Sequence, residues 1–297
     1  MRTLHTEQSN PAADDLDCKS SLEIARLINA EDATVALSVT RVLPQIARVI
    51  DLVASALRRG GRLIYVGAGT SGRIAGLDAV ECAPTFNTDR VQFMIAGGAK
   101  ALAAASEVSE DDMNAGRREM ARYKPNKNDV VIGIASSGRT PFTVSAVAEA
   151  RRRGATTVAL ACNLNSPLER AAQFAIVTQV GPEVLAGSSR MKAGTAHKMV
   201  LNMISTAAMA RLGYIYRNLM VNVSPKNEKL RQRAIVILEQ ATGADPKKAQ
   251  QALKDSGGET PVALVMLAAG VSRRQASAAL QRVDGNVRKA IDLAKHD

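Results

Sequence analysis

Five short apolar runs punctuate the middle of the chain: RLIYV (62–66), VQFMI (91–95), DVVIGIA (129–135), TTVALA (156–161) and FAIVTQV (174–180). None alternates apolar with polar, so each predicts a strand buried on both faces. The segments between them, near 72–82, 100–122, 142–153 and 166–172, space their apolar positions as helices do. Strands alternating with helices argue for a parallel sheet in an α/β fold. Upstream, Ser20 and Glu23 form a capping-box start. An amphipathic stretch follows from about Thr34 to Arg59, with Pro44 near a helix start or kink and Gly60–Gly61 as its stop. Downstream, 189–212 is apolar nearly all round and predicts a helix covered on every side, with a subunit partner as one cover. Beyond Lys226 only helical patterns remain, the last three at 246–254, 259–269 and 273–294, punctuated by Gly257, Gly258 and Gly285. The chain thus divides into an N-terminal arm and helices (1–53), a central α/β domain (54–217) and a C-terminal helical module (226–297).

Composition narrows the chemistry. Tryptophan is absent and aromatics make up 3%, so the core is aliphatic. Three cysteines without C-x-x-C spacing (Cys18, Cys82, Cys162) fit free thiols in a reducing compartment. Three histidines (His5, His197, His296) leave little for a metal site, and none is expected. The N-terminus lacks an apolar leader pattern, and polar residues interrupt the longest apolar stretch. The chain therefore reads as cytoplasmic, without a membrane partner. A net charge of +11 raises the question of nucleic acid. The basic runs, such as Arg151–Arg153, are short and carry no interleaved aromatics for stacking, so they read as solvated helix faces.

Two loops after predicted strands attract ligand hypotheses. Gly67, Gly69 and Gly72 spell G-x-G-x-x-G, but a dinucleotide needs an acidic partner near the end of the second strand. Gln92 and the segment MIAGGAK stand there instead. Thr70 and Ser71 in this loop, and Ser136, Ser137 and Thr140 in the loop after the third strand, suit a phosphomonoester at helix N-termini. Helix capping by the same hydroxyls is the plain alternative. A third element, EVLAGSSRMKAGT (183–195), adds Ser188 and Ser189 at a helix start, with Arg190 and Lys192. Arg73, Arg139 and Arg190 are further partners for a substrate carboxylate.

Among carboxylates, Glu81 stands near the end of a helix halted by Pro84, where negative charge is unfavourable. Glu110 lies in an acidic cluster (Glu107, Glu110, Asp111, Asp112) in which Ser109 and Asp112 suggest a capped helix start. Glu183 is a further proton carrier by position.

The stretches GRLIYVGAGTSGRIAGLDAVECAPTF, IAGG, GIASSGRTPF and GSSRMKAGTAHKMVLNM resemble the bacterial N-acetylmuramic acid 6-phosphate etherases, within the sugar isomerase (SIS) superfamily. The resemblance runs from about Thr6 through the C-terminal helices. It implies a three-layer α/β/α sandwich with a five-stranded parallel sheet, a homodimer with sites near the subunit interface, and a cofactor-free lyase acting on an amino-sugar phosphate. It also implies Glu81 and Glu110 as the catalytic pair. By the same resemblance Ser71, Ser136, Ser137 and Thr140 bind phosphate. Ala135 departs from the wider pattern, where a serine is frequent, and Glu183 matches the glutamate of aldose–ketose isomerases. An isomerase, or a non-catalytic sugar-phosphate sensor, remains the alternative.

Overall fold

The structure, a computed structural model, describes residues 4–104, 107–223 and 227–296. It divides into two compact units, one of residues 1–80 and 90–205 and one of residues 81–89 and 206–297.

In the first unit, α1 (Ser21–Thr40) opens with the expected capping box of Ser20 and Glu23. The helix expected over 34–59 is divided instead. α1 carries on to Thr40, and the chain bends by 62° before α2 (Leu43–Arg58). Pro44 falls in the first turn of α2, where the N–H it lacks has no partner to lose, so it begins a helix and kinks none.

The five apolar runs form β1 (Leu63–Gly67), β2 (Val91–Ile95), β3 (Val130–Ile134), β4 (Thr156–Ala161) and β5 (Phe174–Val177). All pair in parallel, in the order β2-β1-β3-β4-β5. β1 and β3 are buried throughout, which is why their sequences do not alternate. Ile64, Val66 and Val131 pack with Met120, Phe142, Val147 and Leu168, which belong to α4 (Met113–Tyr123), α5 (Pro141–Arg152) and α6 (Pro167–Ala171). On the opposite face, the Tyr65 hydroxyl donates to Asp78 of α3 (Gly69–Phe86). Asn202 and Ser205 of α7 (Lys192–Leu212) donate to the other oxygen of Asp78, so this buried carboxylate is fully partnered. The result is the α/β/α sandwich.

Other helix boundaries also differ from expectation. α3 runs to Phe86 with Pro84 inside it, so Glu81 lies more than a turn before its end. The macrodipole fades within the last turn, so no dipole penalty attaches to Glu81. The helix expected over 100–122 is two 3-10 turns (Gly98–Leu102 and Glu107–Glu110) followed by α4. α4 is capped by Asp112, whose side chain accepts the Ala115 N–H, and not by Ser109. α7 begins at Lys192, so Ser188 and Ser189 precede its start. Of the basic run, Arg152 and Arg153 pair with the buried Glu149, whose carboxyl they hold down at about 2, and Arg151 donates to the carbonyls of Ala171 and Ala172. Those arginines neutralise and cap their own fold.

The second unit holds α8 (Glu228–Thr242), α9 (Pro246–Asp255), α10 (Thr260–Ala269), α11 (Arg273–Arg282) and α12 (Val287–His296). The helix expected over 273–294 is broken before Gly285, which has φ +80°. The pairs α9–α10 and α11–α12 are the same unit repeated: Asp245 and Ser272, 27 residues apart, each cap a helix of 10 residues. Ala249, Ala252 and Leu253 recur as Ala276, Ala279 and Leu280, all buried in one core.

Candidate functional site

The order β2-β1-β3 makes the space between β1 and β3 a topological switch point, where open parallel sheets bind ligands beyond their carboxyl ends. Gly67 is opposite Ile134, so the loops that follow the two strands leave the sheet side by side.

Each glycine of the first loop answers to a contact. A Cβ on Gly67 would lie 2.9 Å from the Gly72 nitrogen, and one on Gly72 would lie 2.6 Å from Ile95 of β2. Gly69 adopts φ +50°, and a Cβ there would stand 2.8 Å from Oε1 of Glu110. The motif thus serves a tight strand-to-helix turn over which a carboxylate lies. In the second loop, Gly138 (φ +67°) has Ser166 2.4 Å from where its Cβ would be. Thr140 is the N-cap residue of α5, yet its side chain makes no capping bond, and Pro141 follows. The capping explanation therefore does not account for Thr140. Ser137 accepts the Arg139 N–H, and the Ser136 carbonyl accepts from Cys162 N–H and the Asn163 amide.

Between the loops lies a cleft of about 440 Å³, lined by Glu7, Ala68–Ser71, Arg73, Glu110, Ala135–Ser137, Thr140, Gly187 and Ser189. Its volume suits a small ligand, and its lining is hydroxyls, loop backbone, two carboxylates and one arginine. Arg73 donates to the carbonyls of Ala101 and Ala104. The acidic cluster therefore splits by role: Asp112 caps α4, while Glu110 enters the cleft. Glu7 comes from the N-terminal arm, and nothing local in its sequence marks it. Among the described residues no group of three or more His, Cys, Asp or Glu side chains is placed to hold a metal.

The glucokinase regulatory protein N-terminal SIS domain family matches residues 45–151, and the SIS domain family matches residues 119–207. The N-acetylmuramic acid 6-phosphate etherase of Geobacillus thermodenitrificans is 48% identical over 98% of this chain and 100% of its own length. The etherase of Symbiobacterium thermophilum is 52% identical over 91% of each chain. The chain belongs to the N-acetylmuramic acid 6-phosphate etherase family. Among solved structures, the phosphoheptose isomerase of Francisella tularensis has a TM-score of 0.50 at 17% identity, covering 65% of this chain and 100% of its own, and shares the fold.

Against this etherase background, several residues singled out by sequence lie elsewhere. Ser188 does not line the cleft, and Arg139 and Arg190 are exposed outside it. Lys192 is buried, with its ammonium paired to Glu31. Glu183 is also buried, accepting the backbone N–H groups of Lys192 (2.9 Å) and Ala193 (3.0 Å), and burial pushes its carboxyl up. Both its oxygens accept from the N-terminus of α7, and Glu183 is not among the cleft's lining residues. Glu81 is exposed on α3 and is not among the cleft's lining residues.

Behind the cleft, Ser71 Oγ lies 3.4 Å from Nδ1 of the fully buried His197, whose Nε2 is 3.7 Å from Cys162 Sγ. Burial pushes the Cys162 thiol up to about 12, so it stays protonated and inert. Burial also pushes His197 down to about 4. A histidine whose folded value is depressed favours the native state only while neutral. Its stabilising effect is complete above about pH 6.5 and is lost as pH falls toward 4. His197→Asn, which keeps a hydrogen-bonding nitrogen near the Nδ1 position, should flatten the pH dependence of denaturant unfolding over that window. The expected difference is on the order of 3 kcal/mol. Equal slopes for variant and wild type would refute it.

Proposed function

We propose that the protein cleaves the D-lactyl ether of N-acetylmuramic acid 6-phosphate, giving N-acetylglucosamine 6-phosphate and D-lactate, with no cofactor. The observation that carries this reading is a cleft uniting two hydroxyl-rich loops with a carboxylate over Gly69, in a chain of the etherase family. Ser71, Ser136, Ser137 and Thr140 hold the phosphate, with Thr70 and Ser189 beside them, and helix N-termini add N–H donors. The opened sugar exposes an aldehyde at C1, which acidifies the C2 proton. Glu110 takes that proton, and fixed donors stabilise the charge developing on the C1 oxygen. Lactate leaves C3 with a proton from a second carboxyl group, and water returns to C3 with the roles reversed.

Glu81 is that second group in this reading, delivered by the other copy of a cytoplasmic homodimer. Its support is the match of VECAPT to the family motif together with the surface around it. Leu77 and Val80 are 56% and 59% exposed, and Leu77, Val80, Glu81 and Pro84 share one helical face. Exposed apolar side chains grouped around a carboxylate suit a contact between copies.

Incubation with N-acetylmuramic acid 6-phosphate in heavy-oxygen water is the test. D-lactate should appear, with the label at C3 of N-acetylglucosamine 6-phosphate. Label in the lactate instead would overturn the elimination–hydration route. Saturable binding without lactate would favour a sugar-phosphate sensor.

A further inference from the structure

We propose that Glu7 selects ligands by the hydrogen-bond donors they carry, a hydroxyl or acetamido N–H of an amino-sugar phosphate, and so separates them from other phosphate anions. The proposal rests on the reading of the cleft as a sugar-phosphate site. Glu7 lies in a 3-10 turn (His5–Glu7) more than 50 residues before the first cleft loop, yet its side chain lines the cleft. The arm is held there. Thr6 is buried, its hydroxyl accepts from the Asn163 amide at 3.0 Å, and the same amide nitrogen donates to the carbonyl of Ser136 at 3.0 Å. One side chain thus ties the arm to the second hydroxyl loop. On the far side, Glu7 Oε2 stands 3.6 Å from where a Cβ on Gly187 would be, so Gly187, itself a cleft-lining residue, lies within contact reach of the carboxylate.

A carboxylate beside an anion site works against the anion, because like charges a few ångströms apart repel. Phosphate capture alone gives no reason to hold one in place. An ionised carboxylate accepts and never donates, so it rewards only ligands that present O–H or N–H groups. The serine and threonine hydroxyls of the cleft both donate and accept, and cannot draw that distinction. Glu7 has the chemistry the hydroxyl loops lack.

Two probes of the full-length protein separate the possibilities by calorimetry: N-acetylglucosamine 6-phosphate and inorganic phosphate. Glu7→Gln should weaken the sugar phosphate about 10-fold or more, as expected for loss of a charge-assisted hydrogen bond. Inorganic phosphate should bind the variant as tightly as wild type, or more tightly. Glu7→Ala should show the same opposite pattern, with the larger loss for the sugar. Parallel loss of both ligands would mean that the arm only shapes the cleft, and would overturn the proposal. So would an unchanged affinity for the sugar phosphate, or a wild-type protein that binds it no better than inorganic phosphate. Wild-type protein that shows the selective pattern but releases no D-lactate would leave this inference standing and remove the etherase reading.

Discussion

Glu110→Gln should lower the rate of D-lactate release by roughly 10²–10⁴-fold, the usual contribution of a positioned base, while N-acetylglucosamine 6-phosphate still binds. Glu110 enters the cleft directly over Gly69, and the amide of Gln has the same shape and can occupy the same place. Gln keeps shape and polarity and removes only the capacity to take a proton. Solvent deuterium should cease to enter at C2 in this variant. Continued exchange at C2 with lactate release blocked would move Glu110 to the leaving-group side and make the other carboxylate the base.

The second large effect concerns Glu81. Glu81→Gln alone should stop lactate release while C2 exchange continues. Mixing this variant with Glu110→Gln under conditions that let subunits exchange should then restore activity. Random pairing makes half the dimers mixed, and each mixed dimer holds one site with both carboxylates, so about a quarter of wild-type activity should return. Two carboxylates that act within one chain would give no recovery, since every site would then carry one defect. The experiment needs only the two purified variants and a lactate assay, and its outcomes do not overlap.

Much of the fold was legible because burial leaves a plain mark. The runs at 62–66 and 130–134 do not alternate since β1 and β3 are covered on both faces. The Ser20–Glu23 box sits where its side chains predict. Helix ends were less legible. Pro44 begins α2 and Pro84 lies within α3, because proline forbids some positions without choosing among those left. The repeated hairpin of the C-terminal module is written in the chain at a spacing of 27 residues. It rests on alanines and glycines, whose abundance hides a pattern that only packing singles out.

In the candidate site, the absence of an acid after β2 argued against a dinucleotide, and the hydroxyls of the two loops pointed to phosphate. The cluster around Glu110 was ambiguous, because an acid at a helix start and an acid in a cleft use the same letters. Asp112 turned out to be the cap and Glu110 the cleft residue.

The sequence by itself determined the five strands, the sheet's burial, the composition of both ligand loops and the family, since each depends on residues close together or on long matching stretches. Only the tertiary structure decided which loops meet. The strand order sets the β1 and β3 loops side by side, Asn163 fastens Thr6 and with it the arm that carries Glu7, and Glu183 accepts from the N-terminus of α7. Such contacts join residues distant in sequence, and their energy comes from burial and hydrogen bonds that exist only once the chain has folded.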